Sequence, residues 1–243
     1  IDCGFNYVIK MQDRGFILNK IEYGDYDVIG TFYTINLGKI NLLVKNAKKS
    51  KKRFVGKLEP FNLIDIEFKY NNRNSINLLE SANLDDASPF CELDAKIIVL
   101  SSLINEYIQN FEENENPDKN KFEFLQNFFS RKNRNNYSLC LNETIKFQLK
   151  YLKELGIEPI INRCFNCNTS LKEIKFFDLK NGGTLCNGCQ KKVDSDTIKF
   201  KKSIDLKNIK KNDASKSFLV KIIVLFSEFH SGKQFNSVKY LET

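Results

Sequence analysis

The chain has 243 residues, 42% of them hydrophobic, enough to fill one large core or two smaller ones, so a globular protein is expected. Its longest apolar runs, 97–100 and 222–226, are far too short to span a bilayer, and nothing marks it as a membrane protein. The net charge of +8 favours a polyanionic partner, while a single histidine, His230, leaves Ser-His-Asp or Cys-His catalysis only one residue to pass through.

Residues 1–11 read either as an extension ahead of the fold or, through Phe5, Tyr7, Val8 and Ile9, as an extra strand. From there to residue 84 the hydrophobic period is two, which predicts strands at 16–21, 28–35, 39–44, 63–70 and 76–81. The fourth shows it best: Ile64, Ile66, Phe68 and Tyr70 fall on one face, Asp65, Glu67 and Lys69 on the other. Connections of hairpin length stand at Tyr23-Gly24-Asp25, Asn36-Leu37-Gly38 and 71–74. With one long connection between the third and fourth strands, 12–84 suits a five-stranded Greek-key barrel of the OB type.

That connection carries a dense basic run. Between residues 39 and 57 stand Lys39, Lys45, Lys48, Lys49, Lys51, Lys52, Arg53 and Lys57, without one acid. Such charges repel, so the segment is expected to be mobile until an anion neutralises it. It reads as a solvated loop, as a localisation signal or as a nucleic-acid contact. OB barrels hold single strands with positive charge and aromatic platforms, for which Phe54, Phe32 and Tyr33 are candidates, each of which also suits a core. Contacts to phosphate carry no sequence information, so binding would be sequence-tolerant and steeply salt-dependent.

Residues 85–89 break the pattern, and the period then becomes 3.6. Leu93, Ile97, Leu100, Ile104, Tyr107 or Ile108, and Phe111 make a long helical stripe, ended by the acidic loop 112–118. Phe122, Leu125, Phe128 and Phe129 mark a second helix, and Leu141, Ile145, Leu149, Leu152 and Leu155 a third, stopped by Gly156 and Pro159. A last helix is predicted at 218–229, with His230 at its exit as a cap or surface residue rather than a ligand. The helical domain is thus interrupted: 85–163 and 193–243 flank an insert at 164–192. From 191 to 221 ten Lys stand against four Asp, a second basic zone.

The insert holds two C-x₂-C pairs, Cys164 with Cys167 and Cys186 with Cys189, 18 residues apart, the spacing of a tetrahedral zinc site. Four thiolates leave no place for water, so the metal would be structural. Gly182, Gly183 and Gly188 are expected to supply positive-φ turns, and Ile174, Phe176 and Leu179 short ribbon strands. Two disulfides or free thiols are the alternatives. An odd total of seven cysteines and no secretory signal argue against an oxidised framework. Cys140 suits a core, and Cys3 and Cys91 are single. A magnesium-dependent nuclease built on Asp25 and Asp27, and a zinc-ribbon factor of transcription or translation, are the competing functions.

Several ordered segments carry a family resemblance. RGFILNKIEYGDYDVIGTFYTINLGKINLLVKNAKKSKKR is similar to the opening barrel of the bacterial RecO family, including its Tyr-Gly-acid turn, here with Asp25 where the family commonly has Glu. LEPFNLIDIEF, YLKELGIEPIINRC, GGTLCNGC and FHSGKQFNSVKYL resemble later segments in the same order, and residues 1–11 have no counterpart. The resemblance implies an α+β protein, an N-terminal OB barrel followed by an all-α domain with an embedded four-cysteine zinc ribbon. It implies single- and double-stranded DNA binding through Lys45, Lys48, Lys49, Lys51, Lys52 and Arg53, to which the reading of the basic run adds Lys39, Phe54 and Lys57, and it implies zinc at the four cysteines. It further implies a non-enzymatic, cytoplasmic, nucleoid-associated mediator that anneals strands. With RecR, such a protein helps load RecA on DNA coated by single-stranded-DNA-binding protein, whose acidic tail ends in a hydrophobic residue. Lys216, Lys221 and the last helix are the candidates for that tail.

Overall fold

The alternation of apolar and polar side chains in the first third of the chain resolves into five strands in a computed structural model, which describes residues 8–71, 76–85, 93–129, 135–190 and 196–241. They are β1 (Val8–Tyr23), β2 (Asp27–Thr34), β3 (Gly38–Val44), β4 (Leu63–Asn71) and β5 (Asn77–Leu84). Their order, β1-β2-β3-β5-β4, is that of a closed barrel. β1 runs to 16 residues because it serves two neighbours, its first half pairing antiparallel with β4 and its second with β2. Residues 8–11 are therefore strand, paired with 68–71. A bulge between Ile17 and Asn19 lets β1 coil from one partner to the other, and a short parallel pairing of β3 with β5, Leu42 opposite Asn77, closes the barrel.

Ile17, Phe32, Leu42, Ile64, Phe68 and Leu79 fill the barrel. The long β3–β4 connection adds Phe54 and Leu58 to that core, so a segment dense in like charge is nevertheless anchored. Phe16 faces the other way and meets Phe122 and Phe129 with ring centroids 5.5 and 5.4 Å away.

The helices are α1 (Ala95–Phe111), α2 (Lys119–Phe128), α3 (Tyr137–Glu154) and α4 (Asp213–Ser231). Side-chain oxygens of Asp118, Asn136 and Asn212 accept the first backbone N–H groups of α2, α3 and α4. Gly232, at φ 66, ends α4. The helix starts earlier than its apolar stripe suggests, since its first turn is polar and signalled only by the Asn212 cap.

Between α3 and α4 lies a sheet of order β7-β6-β8, with β6 (Glu173–Asp178), β7 (Gly183–Leu185) and β8 (Thr197–Asp205). β8 lies past residue 192, where the ribbon was expected to end; its buried Phe200 and Ile204 are set among lysines. The chain divides into two compact units, Ile1–Ala95 with Asn105–Asn135, and Lys96–Ile104 with Asn136–Thr243. Among the described residues no helix is long and apolar enough to cross a membrane. Residues 1–7 with Cys3, the connection at 72–74, the break at 86–89 and Cys91 lie outside the described residues.

Candidate metal centre and nucleic-acid interface

The two cysteine pairs are built by different means. In the first, the N–H of Cys164 donates to Thr169 O (2.8 Å) and that of Asn168 to Cys164 O (2.9 Å), folding the chain back on itself with Asn168 at φ 61. In the second, the N–H groups of Cys189 and Gln190 both reach Cys186 O, at 3.2 and 3.1 Å. The glycines play other parts than expected: only Gly182 has positive φ, at 66, whereas Gly183 is required by contact. A Cβ there would stand 2.4 Å from Phe165 Cβ, so Gly183 lets the first knuckle lie against β7. Thr184, buried in β7, donates to the chain leading into that knuckle, with Arg163 O at 2.8 Å.

These contacts bring four cysteine sulfurs within 4.8 Å of one another, Cys167 and Cys186 3.7 Å apart. A disulfide would need about 2.05 Å. Four sulfurs each about 2.3 Å from one central ion stand about 3.8 Å apart, so the spacing fits a tetrahedral site. The thiols press on one another in the way such a site requires. Burial pushes Cys164 up, but the N–H groups of Cys167, Cys186 and Asn166 more than offset it and hold the thiol below its ordinary value. The Thr169 hydroxyl and N–H bring Cys167 down to about 6, while the Cys186 sulfur, with burial, lifts Cys189 to about 12. Four neighbouring thiolates repel without a cation between them, and a dication removes that repulsion. The four cysteines are positioned to bind a metal ion. Thr169, which the spacing alone did not single out, is 3.2 Å from Cys167 Sγ.

The basic segment is a folded ledge beside the β1–β2 turn. The Asn46 N–H donates to Asp27 Oδ1 (2.7 Å) and the Lys48 N–H to Tyr26 O (3.0 Å). Lys48 Nζ pairs with Glu22 at 2.8 Å, Lys49 Nζ lies 3.3 Å from the Tyr26 ring centroid, and Arg53 donates to Lys45 O while resting on the Phe54 ring. Lys45, Lys48, Lys49, Lys51, Lys52 and Arg53 are exposed. Among the described residues the ammonium groups of Lys45, Lys51 and Lys52 have no partner. Lys39 and Lys57 are half-buried and spend their ammonium groups on Gln109 O and Ala82 O.

The aromatic platforms proposed from sequence are in the interior. Phe54 is 3% exposed, and Phe32 and Tyr33 are wholly buried, so none offers a face to a base. Each sits where the barrel gains more from its apolar area than a flexible strand could. Lys216 is also withdrawn, 1% exposed and bonded to Ser138 Oγ (2.6 Å) and Asp213 Oδ1 (3.1 Å). Lys221 is half-buried, its ammonium made less basic by burial. His230 is exposed and its Nε2 meets Leu179 O at 2.9 Å.

Two family models divide the chain between them. Recombination protein O N terminal matches residues 9–87, and Recombination protein O C terminal matches 93–239. The chain belongs to the RecO family. Among its RecO relatives, the DNA repair protein RecO of Desulfatibacillum aliphaticivorans is 34% identical over 179 residues, 71% of this chain and 69% of its own length. That of Syntrophus aciditrophicus is 31% identical over 180 residues, covering 73% of this chain and 69% of the relative. The boundary between the two RecO models falls where the barrel strands give way to α1.

Proposed function

We propose that this RecO-family chain is a DNA-repair mediator that binds single- and double-stranded DNA through the 45–53 segment and anneals complementary strands without covalent chemistry. The observation that carries this is the group of six exposed cations, Lys45, Lys48, Lys49, Lys51, Lys52 and Arg53, on one anchored ledge of a closed barrel. Two strands repel as polyanions, and a protein that neutralises both holds them close enough to pair. If each cation meets one phosphate, log K against log salt falls with a slope near about −4 on single strands. Replacing Lys48, Lys49, Lys51, Lys52 and Arg53 with Glu should abolish annealing while circular dichroism stays that of the native fold. Native-level annealing by that variant would remove the ledge from the mechanism.

The ion at the four cysteines is, in this proposal, a structural zinc, for which an all-thiolate tetrahedron is the usual donor set. RecR, and the acidic, hydrophobically ended tail of single-stranded-DNA-binding protein, are the protein partners. For the tail, buried Lys216 is poorly placed. A cavity of about 440 Å³ suits it better, floored by Phe200, Ile204 and Phe218, with the exposed Lys199 and Lys201 at its rim. A nuclease built on Asp25 and Asp27 is disfavoured, because Asp27 is engaged by the Asn46 N–H.

A further inference from the structure

Two aromatic side chains stand in water at the β1–β2 turn. Tyr23 is 55% exposed and Tyr26 45%. Among the described residues Tyr23 has neither a hydrogen bond for its hydroxyl nor a ring against it. Neither ring belongs to the barrel core: Tyr23 is the last residue of β1, and Tyr26 lies in the turn with Lys49 Nζ over one face of its ring. An aromatic surface kept in water at a turn is a cost that a stacking ligand would recover.

The rings stand beside the cationic ledge. The Lys48 N–H bonds the carbonyl of Tyr26, and Lys49 Nζ lies over the Tyr26 ring, 3.3 Å from its centroid. Of the three acids at the turn, Glu22 has its charge opposed by Lys48 Nζ, Asp27 accepts from the Asn46 N–H, and Asp25 is exposed. Free ammonium groups at Lys45, Lys51 and Lys52 supply the backbone contacts, and the tyrosines supply flat faces next to them.

Resting on the DNA-binding proposal above, we propose that Tyr23 and Tyr26 are base-stacking platforms that give this surface its affinity for single strands over duplex. Unpaired bases can rotate onto an aromatic face, whereas the bases of a duplex are already stacked on each other. Phe54, Phe32 and Tyr33 leave this work undone because they are core. Phosphate neutralisation sets the salt dependence; stacking adds affinity that salt does not screen.

The chain contains no tryptophan, so Tyr23→Trp makes its only indole, placed at the proposed contact. Its fluorescence should be quenched by an oligo-dT strand, and neither by duplex nor by an abasic strand of the same length. Tyr23→Ala with Tyr26→Ala, which removes two platforms, should weaken oligo-dT binding by about 30-fold or more, leaving duplex affinity and the salt slope as in the native chain. Tyr23→Phe with Tyr26→Phe should keep native affinity, because the ring and not the hydroxyl stacks. Native oligo-dT affinity in the double alanine variant, or an unquenched indole on a strand that the protein binds, would overturn the platform while leaving the cationic ledge standing. A native chain that fails to bind oligo-dT at low salt would instead overturn the DNA-binding proposal itself.

Discussion

Lys216 is a charge in the interior, and its surroundings explain why the protein tolerates it. An ammonium taken out of water costs several kcal/mol unless paired, and its place in the first turn of α4 sets it against the positive end of the helix dipole. Asp213, one turn earlier, and Ser138, in the first turn of α3, offset both costs at 3.1 and 2.6 Å. The same contacts act on Asp213. Burial pushes its carboxyl up, but the Ser138 hydroxyl and the Lys216 ammonium outweigh that and hold it below its ordinary 3.8. A carboxylate depressed on folding stabilises the native state fully above its unfolded value, and that contribution disappears as pH falls through the folded value. Acidification below about pH 4 should therefore weaken the α3–α4 junction. Lys216→Met should lose about 1 kcal/mol at neutral pH, a small figure because the Asp213 side chain is 42% exposed. It should also flatten the acid limb of stability measured by urea unfolding. An acid limb as steep as that of the native chain would mean that the pair is not what Asp213 senses.

The outer sheet of the ribbon packs Ile174, Phe177, Phe200 and Ile204 into the core shared with α3 and α4, but its two knuckles have only a small cluster of their own. That buried cluster is Cys164, Phe176 and Leu185, with Leu171, Cys186 and Cys189 partly covered. So small a cluster offsets little of the entropy of ordering two knuckles, and the proposed ion would supply the rest; such an ion contributes about 10–16 kcal/mol in isolated zinc-finger peptides. Chelation, or Cys186→Ser, should raise amide exchange across β7 and both knuckles while β1 to β4 keep their protection. Native protection of the knuckles in metal-free protein would show that packing alone suffices. The clustering of the four cysteines was legible in the sequence because coordination geometry asks for such spacing, and the barrel strands because pleating fixes a period of two. Other features were hidden by their neighbours. Phe54 is core inside a run of lysines, Phe200 and Ile204 of β8 are spaced among more of them, and β1 starts with exposed Val8 and Ile9, which look like no face at all. Burial depends on what a distant strand brings opposite, as when 68–71 pair with 8–11, and local pattern does not record that.

Taken whole, the molecule carries its +8 charge in two stretches rather than evenly. One is the ledge on the barrel. The other includes Lys199, Lys201, Lys207 and Lys211, all exposed, and belongs to the second compact unit. Annealing asks for two strands at once, and a single patch of six cations is saturated by the first strand it meets. A second patch turns arrival of the complementary strand into an encounter at high local concentration. The two stretches should therefore be separable. Lys199, Lys201, Lys207 and Lys211 changed together to Glu should leave the affinity for one strand within about threefold, since the ledge keeps its own six cations and binds that strand through them. The same variant should slow annealing of complementary strands by about tenfold or more, the gain in local concentration being lost. Both quantities come from one titration series, binding by anisotropy and annealing by energy transfer between labelled strands. If annealing and binding fall together, the second stretch belongs to a single continuous site; if neither changes, the ledge alone accounts for the pairing.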